Sequence, residues 1–378
     1  MPPVLAGRSS LLDDFDVVRR RAEELGEGDR SWVLNGLRGV GKTVLLNELQ
    51  AQVTDAGWIT AKVEGSAQRS LRTALSQSLI LSLRTATGRH PEPRLRRLLG
   101  VLTSFTLALN PAGAISLGAD VEAVTGVADS GRFADDLTAL FQVLGETARE
   151  LGVGVLILVD ELQEAGPTDL EAVNTAVHAL GQASVPLPVM FVGAGLPSLP
   201  AQLAEATSYA ERLWDYRTIG LLGPDESRVA LLLPAQDRGV DWADDGLGLA
   251  VDSASGYPYF LQAVGKHVWD NARSSPIVRD DVQVGLAAAR SEVDQGLYRS
   301  RWERATPAQR DVMRHMAALG GAGAVAIADV AAAMHKRRSS DLSVARNDLI
   351  NKGLVYSPER GLLAFTVPGM HDFIARQP

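Results

Sequence analysis

The chain has no cysteine, which excludes disulfides, thiolate metal sites and cysteine nucleophiles. Histidine is scarce as well. The six are scattered and none has a partner at His-x-x-x-His spacing, so no zinc site is expected. No stretch approaches the roughly 18 consecutive apolar residues of a membrane span. The first residues, Met-Pro-Pro-Val-Leu-Ala-Gly-Arg, lack the charged start and apolar core of a secretory signal. The expectation is a cytoplasmic protein that does not use a membrane. Internal repeats and low-complexity tracts are also missing, as is any nuclease, protease or other effector motif.

What is present is ordinary globular material, 46% hydrophobic and 22% charged over 378 residues, enough for two or three domains each with its own core. Charge is unevenly spread. From Gly296 onward there are 12 lysines and arginines against 7 acidic residues, a balance of +5 in a chain of net −8, so the first 295 residues carry −13. An acidic body with a basic end assigns any polyanion contact to the end alone.

Strand and helix patterns alternate through the first part. Ser31–Asn35 reads as a strand, Val44 to Val53 as a helix closed by Gly57, and Trp58–Val63 as a second strand. Val153–Val159 and Pro188–Gly193 are near-continuous apolar strands, as expected of a parallel sheet covered on both faces. Between the second strand and Val153 lie about 90 residues, more than one crossover helix needs. Within them Phe105–Asn110 and Ala114–Glu122 alternate around a Pro-Ala-Gly turn, which predicts an inserted β-hairpin. Leu222 to Arg290 is helical throughout. Thr306-Pro-Ala-Gln309 is a capping box, followed by helices near 307–319, Ile327–Met334 and Ser340–Lys352 and then a hairpin, the winged-helix order. The expected organisation is an α/β P-loop core over 1–220 with an insertion at about 91–131, a helical lid over 221–295 and a winged helix over 296–378.

The chemistry is concentrated in Gly36-x-x-x-x-Gly41-Lys42-Thr43 between a strand and a helix. Glycines let backbone N–H groups curl round a polyphosphate, the helix N-terminus favours the anion, Lys42 reaches the β- and γ-phosphates and Thr43 ligates magnesium. Background composition gives this pattern by chance in about one chain in a hundred of this length. Gly36, Leu37, Arg38, Gly39, Val40, Gly41, Lys42, Thr43 and Val44 are therefore the candidate ATP-binding residues. Asp160 and Glu161 end an apolar strand, where open parallel sheets bind ligands. There Asp160 can hold magnesium and Glu161 can polarise the attacking water.

With these residues in view, the chain resembles an AAA+ ATPase of the branch that includes origin-recognition and replication-initiator ATPases and the related STAND signalling ATPases, often fused to a winged helix. The resemblance spans nearly the whole chain and rests on Gly7-Arg8, the P-loop, Asp160-Glu161-Leu-Gln163, Glu211-Arg212 and Gly256-Tyr-Pro258. It implies that Gly7 and Arg8 line the adenine pocket, that Pro258 senses nucleotide in the lid, and that Arg212 is an arginine finger or nearby interface residue, catalytic with Lys42 and Glu161. Read as residues alone, Arg212 is equally a surface arginine, Gly256-Tyr-Pro258 a helix start with Tyr259-Phe-Leu261 in the core, and Arg8 a partner of Asp13 or Asp14. The chain departs from the pattern at Gly193-Ala194-Gly195, where many relatives place Asn, Thr or Ser to position the lytic water. It also lacks an evident second lid arginine. Both departures leave ATP and Mg2+ binding intact and point to slow turnover or a nucleotide switch.

Lys336, Arg337 and Arg338 precede the expected recognition helix, on which Arg346 and Lys352 also fall. Such a helix can enter a major groove with cations on phosphates. Around Trp302, Arg299, Arg301 and Arg304 either extend this patch or belong to a packed linker helix. The expected function is an ATP-hydrolysing switch that self-associates through its core and contacts double-stranded DNA. The alternative is a STAND-like signalling or defence ATPase whose nucleotide state gates an interface with an unidentified protein partner.

Overall fold

The computed structural model describes residues 2–89, 93–107 and 124–377. The chain divides into two compact units, one formed by Ser10–Asn35 and Lys42–Thr218, the other by Met1–Ser9, Gly36–Gly41 and Ile219–Pro378. The division cuts through the P-loop. Its glycine arch clusters with the second unit, while the lysine and the helix after it belong to the first.

The first unit is built on a parallel sheet. In chain order it contains α1 (Ser9–Leu25), β1 (Trp32–Asn35), α2 (Lys42–Thr54), β2 (Ile59–Glu64), α3 (Leu71–Arg89), α4 (Pro93–Leu107), α5 (Phe133–Leu151), β3 (Val155–Asp160), α6 (Pro167–Gln182), β4 (Val189–Gly195), α7 (Leu199–Ala206), α8 (Ala210–Leu213) and β5 (Asp215–Thr218). The strand order is β2-β3-β4-β1-β5 and every pairing is parallel. Strands β1, β3 and β4 are buried along their whole length, which a sheet achieves only when helices cover both faces. Their apolar continuity, read in the sequence as parallel-sheet character, has this as its cause.

Helix α5 shows how local pattern becomes packing. Leu137, Leu140, Phe141, Leu144 and Ala148 fall on one face and are all fully buried. Gly152 then stops the helix at φ 67°, its N–H shared between the carbonyls of Ala148 and Arg149.

The inserted hairpin does not begin where expected. Phe105 lies in the last turn of α4, fully buried, continuing the stripe of Leu95, Leu98, Leu99 and Leu102. That spacing of i, i+3, i+4, i+7 and i+10 outweighs the short alternation that suggested a strand. The second arm, Ala114–Glu122, lies outside the described residues.

The second unit is mainly helical. Helices α9 (Pro224–Gln236), α10 (Asp244–Ala254), α11 (Pro258–Asn271) and α12 (Arg279–Val293) run into a π-helical turn at Asp294–Tyr298 and then α13 (Arg299–Arg304). The chain continues with α14 (Pro307–Gly320), β6 (Val325–Ala326), α15 (Ile327–Ala333), α16 (Ser343–Asn351), β7 (Val355–Tyr356), β8 (Leu362–Phe365) and α17 (Met370–Ala375). Thr306 and Gln309 form the capping box reciprocally at the head of α14. The three short strands make an antiparallel sheet in the order β6-β8-β7. One apolar cluster runs from Ala230 through the α9–α12 helices to Ile374, so the helices after β5 and the terminal segment share a core. Trp302 of α13 is packed inside it. Among the described residues no helix is long and apolar enough to cross a membrane.

Candidate functional site

In the sheet unit the chemistry gathers at the C-terminal ends of the strands. Helix α2 opens at Lys42, and the N-terminal end of a helix favours an anion. Lys42 itself is buried, at 6% exposure. The Thr43 hydroxyl donates to Asp160 Oδ2 at 2.5 Å, bringing together the two groups expected to hold magnesium. This pair offers only hard oxygen donors. It suits a cation that typically takes one or two protein ligands and completes its shell with water and phosphate. Among the described residues no cluster of three His, Asp or Glu forms another metal site.

Glu161 follows in the left-handed region, φ 46° and ψ 40°, with its N–H on Asp160 Oδ1 at 2.9 Å. A non-glycine residue held there carries local strain, which clusters at functional sites. Its carboxylate accepts from Gln163 Nε2 at 2.5 Å, and Gln163 Oε1 in turn accepts the N–H of Leu196, just past β4, at 3.1 Å. Gln163 was legible as part of a motif but not as a contact. The signal that could have found it is Gly195 on the neighbouring strand, where a Cβ would overlap Gln163 Oε1.

In the other unit the glycine arch is gripped through its backbone. Arg38 N–H donates to the carbonyl of Thr366 at 2.9 Å, and the Gly39 carbonyl accepts from Tyr259 N–H at 3.2 Å. Gly39 adopts φ 78° and lies so close to Tyr257 Oη that a Cβ there would overlap it. Side chains at this position are thus excluded on two counts. Tyr257 is 4% exposed and its hydroxyl has no partner among the described residues. Burial is the main cause that pushes its phenol well above the ordinary value. The Arg38 guanidinium passes over Gly353, whose Cβ would stand 3.0 Å from Nη2, at the C-terminal end of α16. A cation suits that end of the helix dipole.

Arg8 holds the arch as well. Its guanidinium donates to the carbonyls of Val40 at 3.1 Å, Gly220 at 2.7 Å and Gly7 at 3.2 Å. Burial lowers its pKa, partly offset by Glu226. It pairs with neither Asp13 nor Asp14; Asp14 instead meets Arg217. Gly7 sits at φ 67°, close against Glu226 and Leu222. Pro258 is the first residue of α11, Leu261 is buried in the core and Tyr259 is 43% exposed rather than a core residue.

Arg212 lies exposed on α8, its guanidinium making no hydrogen bond or ion pair among the described residues. Lys336, Arg337 and Arg338 are exposed before α16, and Arg346 is half-buried. Lys352 must be corrected: its ammonium is tied to the Arg304 carbonyl at 3.0 Å and Gln309 Oε1 at 2.7 Å, an internal strut rather than a member of the exposed cluster. Much of the basic tail is used similarly. Arg310 donates to the Trp302 carbonyl, with its guanidinium over the ring, and Arg376 pairs with Asp294.

Residues 4–192, half of the chain, match the family described as AAA ATPase domain, and the chain belongs to it. Residues 295–374 match a second family, described as a domain of unknown function. No protein of curated function matches the sequence. Among solved structures, a Walker-type ATPase of Pyrococcus abyssi is similar with TM-score 0.60 at 16% identity, over 95% of this chain and 96% of that one. The ORC2 protein of Aeropyrum pernix, solved as ADPNP and ADP complexes, is similar with TM-score 0.55 at 15% identity, over 99% of this chain and 94% of that one. These likenesses are of fold. With the five-stranded sheet and the P-loop they define an AAA+ P-loop ATPase core resembling the origin-recognition branch.

Proposed function

We propose that the chain is a magnesium-dependent ATPase that works as a switch, passing the state of its P-loop to the C-terminal segment. The observation that carries this reading is the hydrogen bond from Arg38 N–H to the Thr366 carbonyl. It ties the third residue of the phosphate loop to the backbone just after β8. A loop that closes round phosphates reorients its N–H groups, so filling it acts directly on that bond. The residues that would hold ATP are Gly36–Gly41, Lys42 and the first turn of α2, with Mg2+ on Thr43 and Asp160. Glu161 would take the proton of the attacking water. Arg212, exposed on α8, is the group by which a second copy of the chain would complete the site through the ATPase core.

For the output, the order of three helices and a hairpin over 296–378 supports a winged helix that meets duplex DNA through Lys336, Arg337 and Arg338. A specific observation favours the second reading, a protein partner: Lys352, Arg310 and Arg376 are committed internally, which shrinks the cationic surface.

Two measurements test this. Amide exchange over residues 37–39 and 353–367 should differ between ATP and ADP; identical protection in both would sink the switch. Anisotropy of labelled duplex DNA across a salt series should give a log–log slope of about −0.9 per phosphate contacted, and changing Lys336, Arg337 and Arg338 together to Ala should flatten it by about three contacts. No binding at low salt with ATP present would transfer the output to a protein interface.

A further inference from the structure

The end of β4 is unusual for what it omits. In the register of the sheet, Gly193 stands level with Val159 of β3 and Val33 of β1, and Gly195 is level with Asn35, so β4 ends between the P-loop strand and the carboxylate strand. No side chain would fit at either glycine. A Cβ on Gly193 would stand 2.6 Å from Leu162 Cδ2, and one on Gly195 would overlap Gln163 Oε1 and stand 2.7 Å from Leu199 Cδ2. The space is filled from the neighbouring turn.

We propose that Gln163 is the positioning residue for Glu161, doing from the Leu162–Glu164 turn what a polar side chain on β4 would otherwise do. The proposal rests on the reading of Glu161 as the base in ATP hydrolysis.

The amide is suited to this by having two unlike ends. Its NH2 can only donate, and it meets Glu161 Oε2 at 2.5 Å, with a weaker contact to Glu164 Oε1 at 3.3 Å. Its carbonyl can only accept, and it takes the N–H of Leu196 at 3.1 Å. The two bonds fix which way round the amide lies. The Glu161 carboxylate is thereby anchored to the backbone at the end of β4 through one side chain. The anchor acts where the Glu161 backbone turns sharply, at φ 46°, with its N–H on Asp160 Oδ1. Gly195, which with Gly193 reads in the sequence as a missing polar group, is on this account the clearance that lets Gln163 reach, while Gly193 makes room for Leu162 of the same turn.

The decisive variant is Gln163→Met, which keeps length and volume and removes both hydrogen bonds. Single-turnover hydrolysis should slow by about 10- to 100-fold, as expected when a base is displaced by about an ångström, while the Kd for ATP and for ADP stays within about twofold of the parent. Exchange of the Leu196 amide should rise with no nucleotide present, a readout independent of turnover. A second variant, Gln163→Asn, keeps the amide but is one methylene too short to reach Glu161 and Leu196 together. It should slow single-turnover hydrolysis and raise Leu196 exchange while the Kd for ATP stays within about twofold, a split between turnover and binding that a merely structural glutamine would not produce. Should Gln163→Met fail to fold, Gln163→Asn decides alone, an unchanged single-turnover rate overturning the inference. Unchanged single-turnover rate in folded Gln163→Met overturns it too, provided Glu161→Gln abolishes turnover. If Glu161→Gln also hydrolyses ATP normally, it is the hydrolytic reading of the site that has failed.

Discussion

The two units hold their own parts of the eight-residue motif by opposite means. In the sheet unit the grip is a side-chain contact, Thr43 on Asp160. In the helical unit it is made almost wholly on the main chain, with Arg38 N–H on Thr366, the Gly39 carbonyl on Tyr259 and the Val40 carbonyl on Arg8. Side-chain contacts specify chemistry, because only certain residue types can make them. Backbone contacts specify position and tolerate almost any residue. The sheet unit thus sets its reactive groups through a side chain, and the helical unit sets the curvature of the glycine arch through the main chain.

The largest expected effect on nucleotide binding comes from removing the buried lysine of the motif, the side chain proposed to meet phosphate. Lys42→Ala should weaken ATP binding by about 2–5 kcal/mol, the usual consequence of truncating one partner of a desolvated charge pair, which is about 30-fold or more by calorimetry. Because the arch is held by backbone contacts in the other unit, exchange protection at Arg38 should stay as it is in the nucleotide-free protein. Retained affinity would sink the P-loop reading. Loss of protection would show that the two grips are not separable.

Second comes a purely structural ion pair of the sheet unit. Arg72 and Asp136 are each about 1% exposed and bonded to one another, with the Arg72 guanidinium 4.6 Å from the centre of the Phe105 ring. Removing the carboxylate leaves a buried cation, so Asp136→Ala should cost about 3–5 kcal/mol of folding stability. The pH dependence has a definite sign. Burial alone would raise the Asp136 pKa, but hydrogen bonds from Ser130 and Arg72 outweigh it and hold the carboxyl below its ordinary value. A lowered folded-state pKa means stability that is present above the unfolded value of about 3.9 and lost as pH falls through the folded one. Urea titrations at pH 7 and pH 3 should therefore differ less for Asp136→Ala than for the parent. An equal acid loss in both would assign the effect to other carboxylates.

The contrast between side-chain and backbone grips also explains what was legible in the sequence. Strands β1, β3 and β4 are readable because burial on both faces leaves near-continuous apolar runs, and Asp160-Glu161 is readable because a strand end beside a P-loop restricts what two carboxylates can do. The first arm of the expected hairpin was misread because six residues of alternation around Phe105 compete with a longer helical stripe that starts at Leu95. Arg8 could be assigned to the nucleotide neighbourhood, but its carbonyl partners at Val40 and Gly220 carry no residue signature. Thr366 is invisible for the same reason, since what it offers is a carbonyl. Lys352 failed differently: charge counting treats every cation of the tail alike, whereas burial of Gln309 at the head of α14 recruits this one inward.

The smallest expected effect is the sharpest test of the backbone grip, because it concerns a hydroxyl packed on the arch itself. Tyr257 Oη is buried against Gly39 and has no hydrogen-bond partner among the described residues. A hydroxyl in that state costs folding free energy, so Tyr257→Phe should stabilise the nucleotide-free protein by about 1 kcal/mol, seen as a small rise in Tm. If the hydroxyl serves only to fill space, ATP and ADP affinities will not change and the arch is a backbone device throughout. If Tyr257→Phe raises Tm while weakening either nucleotide several-fold, the phenol finds its partner when the loop is filled. The grip on Gly39 would then include a side chain that acts on nucleotide, and the arch would not be a backbone device alone.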